Sequence, residues 1–251
     1  MRVTYLGHAT VLIEVDGVRV LTDPLLRRRI GPLVRLVPLP DVPVTGIDAV
    51  LISHLHFDHC DLPSLAALGR DTHVIVPIGA GPFLRGHGFR HVTELAWGGS
   101  TLVGAVEVTA TEAVHDGRRL MVGPRVDAAG FVLTGTSGEA VYFAGDTNLF
   151  PGMATLPGVR DEVAVALLPV WGWGPNLGPG HLDPARAVEA AARIRPRHAM
   201  PIHAGTYYPV GLRRVYPRNI VEPPADFATG VSARALPIEV VVPQPGTVLV
   251  T

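Results

Sequence analysis

Lysine is absent from the 251 residues, and all 21 basic positions are arginine. That absence removes the Schiff-base amine, the phosphate-loop cation and the lysine general base from the chemistry open to the chain. A single cysteine, Cys60, excludes an intrachain disulfide and any thiolate zinc cluster, and its expected role is that of a small buried apolar residue. Net charge is scarce too. A formal charge of −1 and a pI near 6.8 leave no electrostatic footprint for nucleic acid, so no nucleic-acid partner is expected. No apolar run approaches the roughly 18 residues of a membrane span, and Met1 to His8 lacks the apolar core of a signal peptide. Stable membrane insertion is therefore not expected, and the chain reads as soluble and cytoplasmic.

What the chain has is apolar material. A hydrophobic content of 47% permits one large core, and residues 1–251 read as a single domain. Residues 2–7, 10–15 and 18–22 read as short strands, with Asp16-Gly17 as a hairpin turn between the last two. An apolar run then ends in Ser53-His54-Leu55-His56-Phe57-Asp58-His59. Side chains alternate in an extended segment, so His54 and His56 point to one side, while Asp58 and His59 begin a turn toward a second point. Imidazole with carboxylate suits zinc, iron or manganese, and this arrangement can hold two ions. The competing reading is a cluster of capping or solvated histidines at a strand end.

Three later residues follow strand-like runs in the same way. His115 follows Val106–Thr111, Asp146 follows Val141–Gly145, and His203 follows Ala199–Ile202. Gly145 and Gly205 would let the backbone come close to a crowded site. Asp23, after a strand end, fits either a turn or a carboxylate that fixes a metal-bound imidazole, and His8 carries the same ambiguity. His73, His87, His91 and His198 lack ligand spacing and read as structural or solvent-facing.

Helices are expected at 62–68, with Asp61 as N-cap, and at 185–194, opened by Asp183-Pro184. Strands are expected near 73–76, 91–93, 101–111, 128–134, 139–144, 163–168, 237–242 and 247–250, with a weak helical piece near 223–230. Residues 25–46, with Arg27-Arg28-Arg29 and four prolines between Pro32 and Pro43, read as a long loop without a regular helix or a central strand. Either it is a pocket wall whose arginines attract an anion, or it is packed on the surface. Trp171 and Trp173, set among glycines, read as pocket wall or as packing.

The set His54-x-His56-x-Asp58-His59, His115, Asp146 in Ala-Gly-Asp-Thr and His203 in Pro-Ile-His-Ala-Gly-Thr resembles the metallo-β-lactamase superfamily along nearly the whole chain. The resemblance implies an α/β fold, a four-layer αββα sandwich with metals at one edge between two sheets. It also implies that His54, His56 and His115 hold a first ion, that Asp58, His59 and His203 hold a second, and that Asp146 bridges them. Zinc is the leading metal, with manganese or iron as alternatives. The Gly7-His8-Ala9 start and the Pro-Ile-His-Ala-Gly-Thr-Tyr ending are closer to the branch with ascorbate-6-phosphate lactonase and N-acyl-phosphatidylethanolamine phospholipase D. His181-Leu182-Asp183-Pro184 is similar to a segment of the phospholipase.

The activity so implied is hydrolysis of a phosphodiester or related ester or lactone, by a hydroxide shared between two ions. The expected partner is a small-molecule or lipid-like ester substrate. Asp58 would orient the nucleophile, and His181, if it faces the metals, would protonate the leaving group; otherwise it is a surface or helix-start residue. An RNA-processing nuclease of the same superfamily and a metal-binding sensor without turnover are the alternatives.

Overall fold

The computed structural model describes residues 1–119 and 124–251. Strands β1 (Arg2–Gly7), β2 (Thr10–Val15) and β3 (Val18–Thr22) form an antiparallel meander. Two short strands, β4 (Arg29–Ile30) and β5 (Leu33–Arg35), leave it before β6 (Ala49–Leu51) returns beside β3. From β6 the chain alternates through helix α1 (Leu62–Leu68), β7 (His73–Pro77), α2 (Gly81–Gly86) and β8 (Val92–Leu95), and β3, β6, β7 and β8 lie parallel.

A second sheet repeats the plan. Strands β9 (Ser100–Val103), β10 (Val106–Asp116), β11 (Asp127–Thr134) and β12 (Ala140–Phe143) are antiparallel neighbours. Strand β13 (Val163–Pro169), helix α3 (Pro184–Ile194) and strand β14 (His198–Ile202) form a parallel crossover unit beside β12. Strand β15 (Tyr207–Pro209) pairs with β5, helix α4 (Arg218–Ala233) follows, β16 (Glu239–Val240) extends the second sheet, and β17 (Val248–Val250) pairs with β1.

Alternation of side chains sorts the strands into four layers. Val11, Ile13, Val20, Leu51 and Ile75 of the first sheet meet Phe131, Leu133, Phe143, Leu167 and Met200 of the second in one core between the sheets. The opposite faces bury elsewhere: Leu12, Leu21, Val50 and Val74 against Leu65 and Leu84 of α1 and α2, and Val132, Tyr142 and Ala166 against Val188, Ala191 and Phe227 of α3 and α4. The inner strands β6, β12 and β13 are apolar on both faces because both are covered. The expected αββα sandwich is the observed fold. No helix among the described residues is long and apolar enough to cross a membrane.

Several local expectations need correction. The strand expected over 101–111 is two strands turned at Gly104-Ala105, the second running on to Asp116 and carrying His115 within it. The six-residue helix α2 was not foreseen; it is too short for helical periodicity to show. Within residues 25–46, β4 and β5 form a hairpin of a small three-stranded sheet, with Pro32 in its turn, so the segment carries short strands in addition to the expected loop. Helix α4 starts at Arg218 and runs through Pro223 and Pro224. Pro224 has no N–H for the Ile220 carbonyl, and Gly205 approaches there, where a Cβ would lie 2.8 Å from that oxygen. The close approach at Gly205 is therefore to α4.

Candidate metal centre

After Leu51 the chain stays extended through His54 and then turns, with the Cys60 N–H bonded to the His56 carbonyl at 2.8 Å. The turn hands over to α1, whose N-cap Asp61 accepts the Ser64 N–H at 3.0 Å. A residue that sequence reading missed secures this loop from outside. Arg119 Nη1 donates to the carbonyls of Leu55 (3.1 Å) and Cys60 (2.8 Å), and its guanidinium lies over the rings of Phe57 and Phe83. Nothing in an isolated arginine at that position signals such a role. Cys60 is buried, and burial pushes its thiol up to about 12, as fits an inert packing residue.

All the predicted ligands converge. His54 Nε2 lies 2.9 Å and His115 Nε2 3.1 Å from His56 Nδ1. Beside them, His59 Nε2 lies 3.0 Å from His203 Nε2, and Asp58 Oδ2 is 3.5 Å from each. Asp146 Oδ2 is 3.2 Å from His59, 3.4 Å from His203 and 3.5 Å from His181, and Asp146 also groups with His115. It thus reaches both clusters. Gly145 lets it do so: its φ is +59°, and a Cβ there would lie 2.5 Å from Ser53 Cβ.

The rear nitrogens of the rings are engaged. His54 Nδ1 bonds Ser53 Oγ (2.9 Å), His59 Nδ1 bonds Asp23 Oδ2 (2.6 Å), His115 Nδ1 bonds the Gly180 carbonyl (2.9 Å) and His203 Nδ1 bonds the Trp171 carbonyl (2.9 Å). Ser53 Oγ in turn donates to Asp23 Oδ2 at 2.6 Å, so one buried carboxylate supports both clusters. Each of these partners accepts, which leaves the proton on Nδ1 and the Nε2 lone pair facing inward. Lone pairs about 3 Å apart repel unless a cation lies between them. Asp146 Oδ1, buried and without a hydrogen-bond partner, asks for the same thing. The donor set fits divalent cations.

His8 completes the support. Its Nε2 donates to Asp58 Oδ2 at 2.9 Å, and its carbonyl accepts the His203 N–H at 3.0 Å. His8, Asp23 and His203 all have positive φ, at 60°, 32° and 61°, so three of the six such non-glycine residues among those described lie at this site. Burial holds His54 well below the usual imidazole range and brings His8 and His115 down to about 4. Burial opposes the charge on His59 as well, but Asp146, Asp58 and Asp23 outweigh it and raise this residue. Burial likewise works against ionised Asp58 and Asp146, and the imidazoles around them prevail and keep both carboxyls well below their ordinary values.

A cavity of about 740 Å³ opens over the cluster, a size suited to a small organic molecule. His181 lines it and faces Asp146, which settles the orientation the sequence left open. Trp173 lines it too, whereas Trp171 anchors the loop through Nε1 to the Gly174 carbonyl at 3.1 Å. Residues 30–33 of the β4–β5 hairpin form part of the wall. The expectation that nearby arginines attract an anion fails on geometry. Arg27 is paired with Asp61, Arg28 and Arg29 are exposed outside the lining, and Arg35 turns toward the Leu6 and Val37 carbonyls.

Residues 18–204 match the family described as the beta-lactamase superfamily domain. Over 98% of both chains, this one is 34% identical to a UPF0173 metal-dependent hydrolase of Methanopyrus kandleri. It is 31% identical to an uncharacterised protein of Mycobacterium tuberculosis, across 82% of this chain and 59% of that one. Among solved structures it is similar to Igni18, a metallo hydrolase of Ignicoccus hospitalis, at 26% identity and a TM-score of 0.74, covering 99% and 97% of the two chains. With a matching sandwich and a convergent histidine–aspartate cluster at its edge, the chain belongs to the metallo-β-lactamase superfamily and, within it, to the UPF0173 metal-dependent hydrolases.

Proposed function

We propose that the chain is a dinuclear hydrolase of a phosphodiester or a related ester or lactone. His54, His56 and His115 would hold one ion and Asp58, His59 and His203 the other, with Asp146 within reach of both sets; zinc heads the candidates, and manganese and iron suit the same donors. The observation that carries this reading is Asp146, whose Oδ2 touches the histidines while its buried Oδ1 is left without a partner. Two divalent ions in such a set supply a water acidified to near neutral pH and a Lewis acid for the scissile group.

The chain's own residues supply the rest. Asp58, fixed by His8, orients the attacking water and takes its hydrogen bond. The water oxygen bonds to carbon or phosphorus while the bond to the leaving oxygen breaks. His181, with Nδ1 donating to the Gly178 carbonyl at 3.3 Å and Nε2 turned to the cavity, gives the leaving oxygen its proton and recovers one from the attacking water. The short likeness to the phospholipase divides here, since Asp183 caps α3 through the Arg186 N–H at 2.8 Å and His181 alone of that segment faces the cavity.

The test is elemental analysis of protein purified without added metal, paired with turnover of a chromogenic phosphodiester and a lactone panel. Two ions per chain, and activity lost on chelation and in Asp146→Ala, are expected. Less than one ion per chain, not restored by added metal and without turnover, would refute the proposal.

A further inference from the structure

Away from the histidines and carboxylates, the apolar side chains of the cavity wall are Ile30, Pro32, Leu33, Phe57, Trp173 and Leu177, and Asn176 adds one neutral amide. Phe57 is 47% and Trp173 41% exposed, so aromatic area stands open beside the reactive groups rather than in the core. A bound apolar group would remove that area from water. The wall holds a single cation among the described residues, Arg27, and its guanidinium grips the Asp61 carboxylate through Nε at 2.9 Å and Nη2 at 2.5 Å. The pair presents no net charge. An anionic group entering this wall would lose water and find no uncompensated cation there, only the neutral amide of Asn176.

Gly172 adds a size limit. Its backbone is outside the region that favours glycine, and a Cβ there would meet Leu177 Cδ1 at 3.5 Å and His203 Cε1 at 4.0 Å, ordinary van der Waals spacing. The fold has no need of glycine at that point. What the missing side chain leaves is space in the cavity lining next to His203.

We infer that the substrate carries an uncharged apolar arm, aryl or branched alkyl, seated against Trp173 and the 30–33 hairpin. Gly172 sets how bulky that arm can be, and the Arg27–Asp61 pair turns away arms that end in an anion. The inference rests on the hydrolase reading for the scissile end of the substrate only.

Two measurements on the zinc-loaded protein separate the readings. First, matched p-nitrophenyl phosphodiesters and carboxylic esters bearing a methyl, phenylethyl or carboxyethyl arm are compared by kcat/KM. The phenylethyl arm is expected to exceed the carboxyethyl arm by at least about tenfold. Gly172→Val should cut the phenylethyl-to-methyl ratio by about tenfold, and Trp173→Ala should do the same through KM. Asp61→Asn keeps an oxygen for the α1 cap while freeing Arg27, and should raise the carboxyethyl arm relative to the others. Second, binding of 2-phenylethanol is followed by tryptophan fluorescence on zinc-loaded and on chelated protein. It should persist on chelation and weaken in Trp173→Ala and Gly172→Val.

Turnover in which the carboxyethyl arm matches or beats phenylethyl overturns the inference and leaves the hydrolase reading standing. Phenylethanol binding that depends on residues 172 and 173, without turnover of any ester, sinks the hydrolase reading and keeps the apolar arm site.

Discussion

Replacing Asp23 by asparagine tests whether one buried carboxylate governs both clusters. Asp23 Oδ1 accepts the Ser53 N–H at 2.7 Å, and Oδ2 accepts both Ser53 Oγ–H and His59 Nδ1–H at 2.6 Å. An amide can keep the first bond only. Its Nδ2 then points donors at two donors, and the arrangement relaxes if His59 moves its proton to Nε2, the atom that faces Asp146 and His203. Each charge-assisted bond lost is worth about 1.5–3 kcal/mol. Loss of such an outer partner lowers metal affinity about 10–100-fold, or about 1.4–2.7 kcal/mol. If the two clusters each take an ion as proposed, binding at the His59 cluster should weaken by that factor or more, and binding at the His54 cluster, reached only through Ser53, by less. Titration of chelated protein with zinc in the presence of a competing chelator resolves the two steps. Two wild-type affinities in Asp23→Asn would refute the role assigned to this residue.

His181→Ala should keep its metal content and lose about 10²–10⁴-fold in kcat, most on esters with poor leaving groups; a uniform small loss across leaving groups would argue against proton donation. Arg119→Ala removes two carbonyl bonds and the stacking on Phe57 and Phe83, and should lower stability by about 1–3 kcal/mol in a denaturant titration of chelated protein. The chelated chain should also lose stability between pH 7 and pH 5. His8 is buried with a value of about 4, so the unfolded chain binds its proton first, at about 6.5, and this residue alone costs about 2 kcal/mol at pH 5. His54 and His115 act in the same direction. His59 and His181 are raised, so the stability they add is complete below about 6.5 and lost only as pH rises through their folded values; together they return less than about 2 kcal/mol over this window. A melting temperature that rises on acidification would contradict the balance.

The convergence of these histidines and carboxylates was legible because clusters of this kind are built at strand ends, and strand ends are marked by apolar runs that stop. His54 and His56 could be placed on one side from alternation alone, and α1 and α3 from Asp61 and from Asp183-Pro184. What stayed hidden depends on pairings between distant segments. Arg27 reads as a free cation until Asp61 folds against it, 34 positions away. His115 reads as following a strand because the Gly104-Ala105 turn and the irregular register near Glu112 are invisible to a period-2 pattern. Arg119 carries no local signal, since its partners are backbone carbonyls about sixty residues upstream.

The Gly180 carbonyl holds His115 and the Trp171 carbonyl holds His203, one imidazole from each cluster. The loop between those carbonyls includes Trp173 and Leu177 of the cavity wall. It is therefore slung between the two clusters like a strap with a buckle at each end. Ions that fix the rings fix the strap, and a molecule that settles under the strap steadies the rings. Linkage makes the exchange symmetrical: whatever factor metal loading adds to ligand affinity, the ligand adds to metal retention. A chain of this kind would hold its metals most firmly while it is at work, and release them most readily when no substrate is at hand.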